Sequence, residues 1–152
     1  MCYGINFCLL FSSKPSLMHS PLPHDFFQAL TRLRSFLGSQ DFLADQAGYS
    51  QAVSALDLSA SHIAHAGVNI EAGAILLWPF FLPDSIVAHI KGLRPHALLV
   101  LSYYAVLLSA LERSYWWLRG WGSELLDDIT SHLHDQPSLQ DMLAWPKSCI
   151  RA

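Results

Sequence analysis

The sequence predicts an all-α fold, a helical bundle or array around one central apolar helix. Apolar residues recur at steps of three and four in several segments, which is the period of an amphipathic helix. Prolines, glycines and aspartates suited to helix ends separate these segments. No run alternates apolar and polar residues as a half-buried strand would, and no internal repeat is evident. With 152 residues, the chain has the length of one domain.

The first helix is predicted to follow a leader. Residues 1–24 contain three prolines and no helical period, so we expect a disordered or atypical leader before a helical domain over 25–152. Asp25 is placed to cap a helix that stops at Gly38. The apolar face of this helix consists of Phe26, Leu30, Leu33 and Leu37, with Arg32 and Arg34 off the stripe.

The second helix is longer and carries a seam with alternating steps of four and three. The seam consists of Tyr49, Val53, Leu56, Ala60 and Ile63, and the helix is predicted to end near Gly67. A short segment over 70–78 follows, and Pro79 is expected to close it. A further short helix over 85–91 lies between Pro83 and Gly92.

The most apolar segment predicts the buried centre of the domain. Pro95 suits the first position of a helix that continues to about Arg113. This helix is apolar nearly all round, which is typical of a helix buried on every side. A single stripe of this helix is more polar than the rest, and it consists of Ser102, Ala105, Ser109 and Glu112.

The last third of the chain begins with a tryptophan-rich break. The segment SYWWLRGWG, residues 114–122, is predicted to end the central helix, and Gly120 and Gly122 allow a tight turn. A helix over 123–134 follows, with an inner face of Leu125, Leu126, Ile129 and Leu133. Residues 137–146 are predicted to form only a short closing turn that ends at Trp145 and Pro146.

Composition excludes several classes of function. Charged residues make up 14% of the chain, against roughly 25% in average proteins, so apolar surface is expected to face a partner or ligand, or the chain is part of something larger. A net charge of -3 with scattered basic residues argues against direct nucleic-acid binding. Three distant cysteines form neither a disulfide framework nor a zinc cluster. The apolar run 97–111 is shorter than the roughly 20 residues of a membrane span.

The sequence predicts no enzyme, no cofactor and no metal site. His62 and His65 lie three apart and could face one ion, but Glu71 is the only further ligand nearby, so two surface histidines are the preferred interpretation. No serine lies in a nucleophile elbow, and no glycine-rich phosphate loop occurs. Asp127 and Asp128 are adjacent and therefore diverge on a helix, which is wrong for a carboxylate pair.

The aromatic residues have two interpretations, and the sequence leaves both open. They form core and turn packing, or they line a pocket for a flat apolar ligand. The serines on the central helix favour a pocket or a partner helix, although a serine can also bond back to its own helix. The candidate pocket wall consists of Trp78, Ser102, Tyr103, Ser109, Trp117 and Trp121.

Residues 75–146 resemble the C-terminal effector region of fungal zinc-cluster transcription factors of the sterol uptake control protein type. The resemblance rests, in order, on Trp78-Pro79, the apolar run 97–111, WWLRGWG over 116–122, LLDDI over 125–129 and Trp145-Pro146. It implies a helical regulatory domain with a hydrophobic cavity for a sterol or other apolar small molecule. The six-cysteine DNA-binding cluster of that family is absent from this sequence.

The resemblance implies a transcription regulator, as a fragment or truncated member, that controls sterol genes or a secondary-metabolite gene cluster. It implies a nuclear location, with the cytoplasm as the alternative, and homo- or hetero-oligomers with a full-length regulator. Two other hypotheses remain from the sequence. The chain is an accessory protein that holds a hydrophobic intermediate of a biosynthetic pathway, or it is a non-functional remnant.

Overall fold

The computed structural model describes residues 20–40, 45–66, 71 and 73–151, apart from the side chain of Ile75. These residues contain helices and no strand, which confirms the all-α prediction. The predicted leader falls mostly on residues 1–19, which lie outside the described part. The helices are α1 (Phe26–Gly38), α2 (Gln46–Ala66), α3 (Gly73–Phe81), α4 (Asp84–Lys91), α5 (Pro95–Ala110), a 3₁₀ turn (Trp116–Leu118), α6 (Trp121–Leu133) and α7 (Pro137–Ile150).

Helix α5 is the centre of the described structure, as its apolar sequence predicts. Eleven of its sixteen residues are buried, and it contacts α2, α3, α4, α6 and α7. Helix α1 packs on α2, and α2 also packs on α3. A helix surrounded in this way gains hydrophobic stabilisation around most of its circumference, which explains why its sequence is apolar nearly all round.

The predicted inner faces of the first two helices are confirmed. The four apolar residues of the α1 stripe and the five of the α2 seam are all buried, while Arg32 and Arg34 are exposed. Leu22 is also buried, so the core includes a side chain that precedes Asp25. Asp25 occupies the N-cap position of α1, but its carboxylate makes no capping hydrogen bond. It accepts a hydrogen bond from the indole N–H of Trp145 instead, at 2.9 Å.

Two prolines are predicted to end helical segments, but both lie inside helices. Helix α3 continues through Pro79 to Phe81, and α7 runs through Pro146 to Ile150. A proline removes one helix hydrogen bond, but few residues follow either proline, and tertiary packing compensates. In α7, Leu139, Leu143 and Pro146 are all buried at steps of four and three. The predicted closing turn is therefore a full amphipathic helix.

The break between α5 and α6 differs from the prediction in its boundaries. Helix α5 ends at Ala110, and a turn over 111–114 precedes the 3₁₀ turn. Helix α6 begins at Trp121, so Gly122 is a helical residue rather than part of a turn. On the inner face of α6, Leu125 is half-buried and the other three predicted residues are buried.

Candidate functional site

The six predicted pocket residues lie in two different environments. Trp78 belongs to the packed core, where its ring stacks on Tyr104 with ring centroids 4.6 Å apart. Its indole N–H donates to the carbonyl oxygen of Ala52 on α2, at 3.0 Å. A buried tryptophan needs such an acceptor for its single polar atom, so Trp78 is fully satisfied by protein groups.

The hydroxyl groups of Ser102 and Tyr103 also form hydrogen bonds within the protein. The Ser102 hydroxyl donates to the Leu99 carbonyl oxygen of its own helix, the local bonding that sequence analysis left open. The Tyr103 hydroxyl donates to the carbonyl oxygen of Met142 at 3.2 Å, and its ring stacks on Trp145. Burial raises the pKa of Tyr103 well above its ordinary value and raises the pKa of Tyr104 to about 12.

These three buried side chains line no open pocket. At most 1% of the surface of Trp78, Ser102 or Tyr103 is accessible to solvent. Ser109 is half-buried at the contact between α5 and α6, and Trp117 and Trp121 are on the surface. The structure therefore does not bring the six residues together around one cavity.

One surface groove is formed by other residues. It lies between α1 and the beginning of α2, and its volume is about 280 Å³. Small-molecule sites commonly occupy roughly 300–1,000 Å³, so this groove is below the usual range. None of the six predicted residues lines it; the lining residues are Arg34, Leu37, Gly38, Gln46, Ala47, Ser50 and Val53.

A polar cluster joins α2 to α4. The Ser85 hydroxyl donates to a carboxylate oxygen of Asp45, and the Tyr49 hydroxyl is 3.2 Å from Nδ1 of His89. The hydrogen bond from Ser85 is the main cause of a lowered pKa at Asp45. Asp45 and Tyr49 are one helical turn apart, and so are Ser85 and His89. The two contacts therefore lie one turn apart and hold α4 against the start of α2.

The exposed tryptophans lie on a constrained turn that we call the tryptophan elbow, residues 114–122. Leu118 is fully buried and anchors it to the core. Gly120 has φ 86°, a left-handed conformation that glycine adopts without steric cost. Its N–H donates to Oε1 of Glu112 at 3.1 Å, and its carbonyl oxygen accepts from the N–H of Glu124. These contacts fix the path of the chain on both sides of Gly120.

Three tryptophan side chains project outward from this elbow. Trp116 is 81% exposed, Trp117 41% and Trp121 52%. The rings of Trp117 and Trp121 pack edge to face with centroids 5.8 Å apart, and Tyr115 lies 5.7 Å from Trp117. Contiguous exposed aromatic surface on a folded domain is typical of an interaction site.

Two arginines accompany the tryptophans. Arg113 and Arg119 are exposed, and neither forms an ion pair with any carboxylate in the described part of the chain. The nearest acidic residues in sequence, Glu112 and Glu124, both lie at Gly120. Glu112 accepts a hydrogen bond from the N–H of Gly120. A Cβ built on Gly120 would be 3.8 Å from Oε1 of Glu124. The exposed aromatic rings of the elbow therefore lie close in sequence to two arginines that form no ion pair with the described residues.

The six predicted pocket residues do not include Trp116, the most exposed tryptophan, or either arginine. A signal was available, because Trp116, Trp117 and Trp121 cannot all share the inward direction of Leu118 in a short turn. Residue type alone favours burial of these tryptophans, because large aromatic side chains are mostly found in the core.

Two further kinds of site concern metal ions and membranes. No three histidine, cysteine or acidic side chains there are grouped so that they could hold a metal ion. His62 and His65 are both exposed, and the His65 ring bonds the Ser61 carbonyl oxygen. No single helix in the described ranges is long and apolar enough to cross a membrane; α4 and α5 pass that test only as a pair bent by 99°.

No family model, curated protein or solved structure matches this chain.

Proposed function

We propose that this chain is a non-enzymatic helical regulatory domain that acts by binding a partner protein through the tryptophan elbow. The observation that carries this proposal is the exposure of Trp116, Trp117 and Trp121 on a turn fixed by Leu118 and Gly120. Tryptophans dominate the binding free energy of many interfaces, because each buries a large rigid surface with little loss of side-chain freedom.

The resemblance of residues 75–146 supports a particular partner. We propose a full-length transcription regulator of the zinc-cluster type, which would supply the DNA binding. On this proposal the domain acts in the nucleus and modulates the activity of its partner. The net charge of -3 supports an indirect role, since contact with DNA phosphates requires clustered basic residues.

Partner binding is favoured over sensing of a sterol or another apolar ligand. A sensor needs a cavity, whereas Trp78, Ser102 and Tyr103 have their polar atoms bonded and almost no accessible surface. The groove between α1 and α2 is small and is lined partly by polar residues. Among the described residues, exposed aromatic rings lie on the elbow and at Phe80 and Phe81 of α3, and the elbow carries all three exposed tryptophans.

A non-enzymatic role is supported by how the reactive side chains are used. Asp45, Ser85 and His89 come near one another, but their contacts tie two helices together. A nucleophilic serine would be bonded to a base that accepts its proton. Ser85 is bonded to a carboxylate with a lowered pKa, which makes that carboxylate a weak base.

The proposal is tested by affinity capture from the source organism. The tagged chain, its Trp116→Ala/Trp117→Ala variant and its Phe80→Ala variant are compared, with bound proteins identified by mass spectrometry. Phe80 is a matched control because it is an aromatic residue outside the elbow with the same 81% exposure as Trp116.

The expected result is capture of a protein with a six-cysteine zinc cluster by the wild type and by Phe80→Ala, and loss of it from the double variant. Far-UV circular dichroism must show that all three chains are folded. Capture of no such protein, or equal capture by the double variant, would overturn the proposal.

A further inference from the structure

We infer that the tryptophan elbow recognises an acidic amphipathic helix of its partner, an inference that rests on the proposed function. The elbow and Arg113, which directly precedes it, offer two chemistries that are close together in the sequence. Trp116, Trp117 and Trp121 supply exposed apolar surface, and Arg113 and Arg119 supply positive charge with no ion pair in the described residues. A complementary segment carries large apolar side chains and carboxylates together.

The charges around the elbow explain why the segment is acidic. Glu112 directs a carboxylate oxygen at the N–H of Gly120, so this charge is engaged by the backbone of the turn. Glu124 lies in the first turn of α6, where it suits the positive end of that helix. Within the described ranges the two arginines have no ion-pair partner, and guanidinium groups bind carboxylates through paired hydrogen bonds.

The all-helical secondary structure of the described residues favours a helix as the bound segment. The described part of the chain has no strand, so it offers no sheet edge that an extended peptide could join. An amphipathic helix presents apolar side chains at steps of three and four, with carboxylates beside them on the adjoining faces. Its apolar stripe would cover the edge-to-face pair Trp117 and Trp121.

Two arginines are enough for a peptide but few for a polyanionic surface. Lipid-binding patches typically cluster about four to eight basic residues, and nucleic-acid affinity grows with each phosphate that is neutralised. The chain as a whole carries -3, which opposes attraction to either kind of polyanion. An acidic protein segment therefore fits the observed charge better than a membrane or a nucleic acid.

The test is a selection from a display library of random peptides about 15 residues long, roughly four helical turns. Peptides that bind the wild type are sequenced, and their affinities are measured for three variants. These are Trp116→Ala/Trp117→Ala, Arg113→Gln/Arg119→Gln and the control Arg32→Gln/Arg34→Gln. The control removes the same charge from two exposed arginines of α1.

The expected result is enrichment of Asp and Glu between large apolar residues at helical spacing. The Arg113→Gln/Arg119→Gln variant should bind these peptides at least about tenfold more weakly, because a charge-assisted hydrogen bond contributes on the order of a factor of ten. Affinity for the wild type should also fall as salt rises. The control should bind like the wild type.

Three results would overturn the inference. The first is failure to enrich any peptide, or enrichment without acidic residues. The second is equal binding by the Arg113→Gln/Arg119→Gln variant. The third is binding of the wild type to mixed phosphatidylcholine and phosphatidylserine vesicles, or to a single-stranded oligonucleotide, in preference to the selected peptides.

Failure of this inference is distinguishable from failure of the proposed function. Capture of a zinc-cluster protein together with selection of non-acidic peptides would leave partner binding intact and remove only the acidic chemistry. Selection of acidic peptides without capture of a zinc-cluster protein would support the elbow chemistry and overturn the proposed partner.

Discussion

Gly122 lies against Ala105, and this contact sets how closely α6 approaches the central helix. A Cβ built on Gly122 would be 2.7 Å from the Ala105 carbonyl oxygen and 2.9 Å from the backbone nitrogen of Ser109. Both atoms belong to the backbone of α5, so they cannot rotate away as a side chain could. The elbow is held between these two helices, and its position depends on their separation.

We therefore expect Gly122→Ala to destabilise the fold. Forcing a methyl group into a packed interface typically costs about 1–3 kcal/mol. The measurement is urea unfolding followed by circular dichroism at equilibrium. Gly38→Ala is the matched control, because a Cβ there meets nothing within 4 Å and alanine favours a helix. Equal midpoints for the two variants would contradict the close packing of α5 and α6.

The Asp25–Trp145 hydrogen bond gives a second prediction. Trp145→Phe removes the N–H donor to the half-buried Asp25 carboxylate while keeping an aromatic ring beside Phe26 and Tyr103. Loss of a hydrogen bond to a charged group costs about 1.5–3 kcal/mol. Chemical denaturation should show this decrease for Trp145→Phe and almost no change for the exposed Trp116→Phe. A decrease of the same size in both variants would argue against a specific role for the bond.

Sequence periodicity predicted the buried faces of α1 and α2 because each of these helices packs along a continuous apolar stripe, and the nearly uniform apolar sequence of α5 predicted its burial. It failed where packing overrides a local signal. Proline disfavours the interior of a helix, so Pro79 and Pro146 are predicted to end helices. Helices α3 and α7 nevertheless continue past them, because Trp78 and Leu143 are buried in the core. Local rules contain no information on such distant contacts.

The candidate site was less predictable for a similar reason. Aromatic residue type does not tell which rings face inward, so Trp78 and Trp117 received the same predicted role. Trp78 can be buried because its N–H donates a hydrogen bond to the Ala52 carbonyl oxygen, 26 residues away in sequence. The short turn that ends at Gly120 keeps Trp117 at the surface. The packing of α2 against α3 determines the first outcome and the path of the elbow determines the second, and neither can be read from residue type.

Ser59 provides a prediction of increased stability. It is completely buried on α2, and its hydroxyl oxygen has no hydrogen-bond partner among the residues that the structure describes. An unsatisfied buried hydroxyl costs on the order of 1–3 kcal/mol, and alanine has the higher helix propensity. Ser59→Ala should therefore raise the thermal midpoint. Ser102→Ala is the control, because that equally buried serine has an acceptor and should gain much less. A lower midpoint for Ser59→Ala would indicate a bound partner for its hydroxyl.

Burial of two tyrosines predicts loss of stability at alkaline pH. The pKa of Tyr104 is raised from 10.0 to about 12 and that of Tyr103 is raised further, mainly by burial. Between about pH 10 and 12, the unfolded chain releases these protons while the folded chain keeps them. Since the folded state then binds more protons, the free energy of unfolding must fall as pH rises through this window.

Tyr104→Phe isolates one of these contributions, because phenylalanine keeps a ring beside Trp78 but has no proton to release. Unfolding by urea at several pH values above 10 should show a shallower decline for this variant than for the wild type. Absorbance at 295 nm should show the tyrosinate signal of Tyr103 and Tyr104 appearing together with unfolding. Identical pH slopes in the two proteins would mean that Tyr104 ionises in the folded state as readily as it does in the unfolded chain.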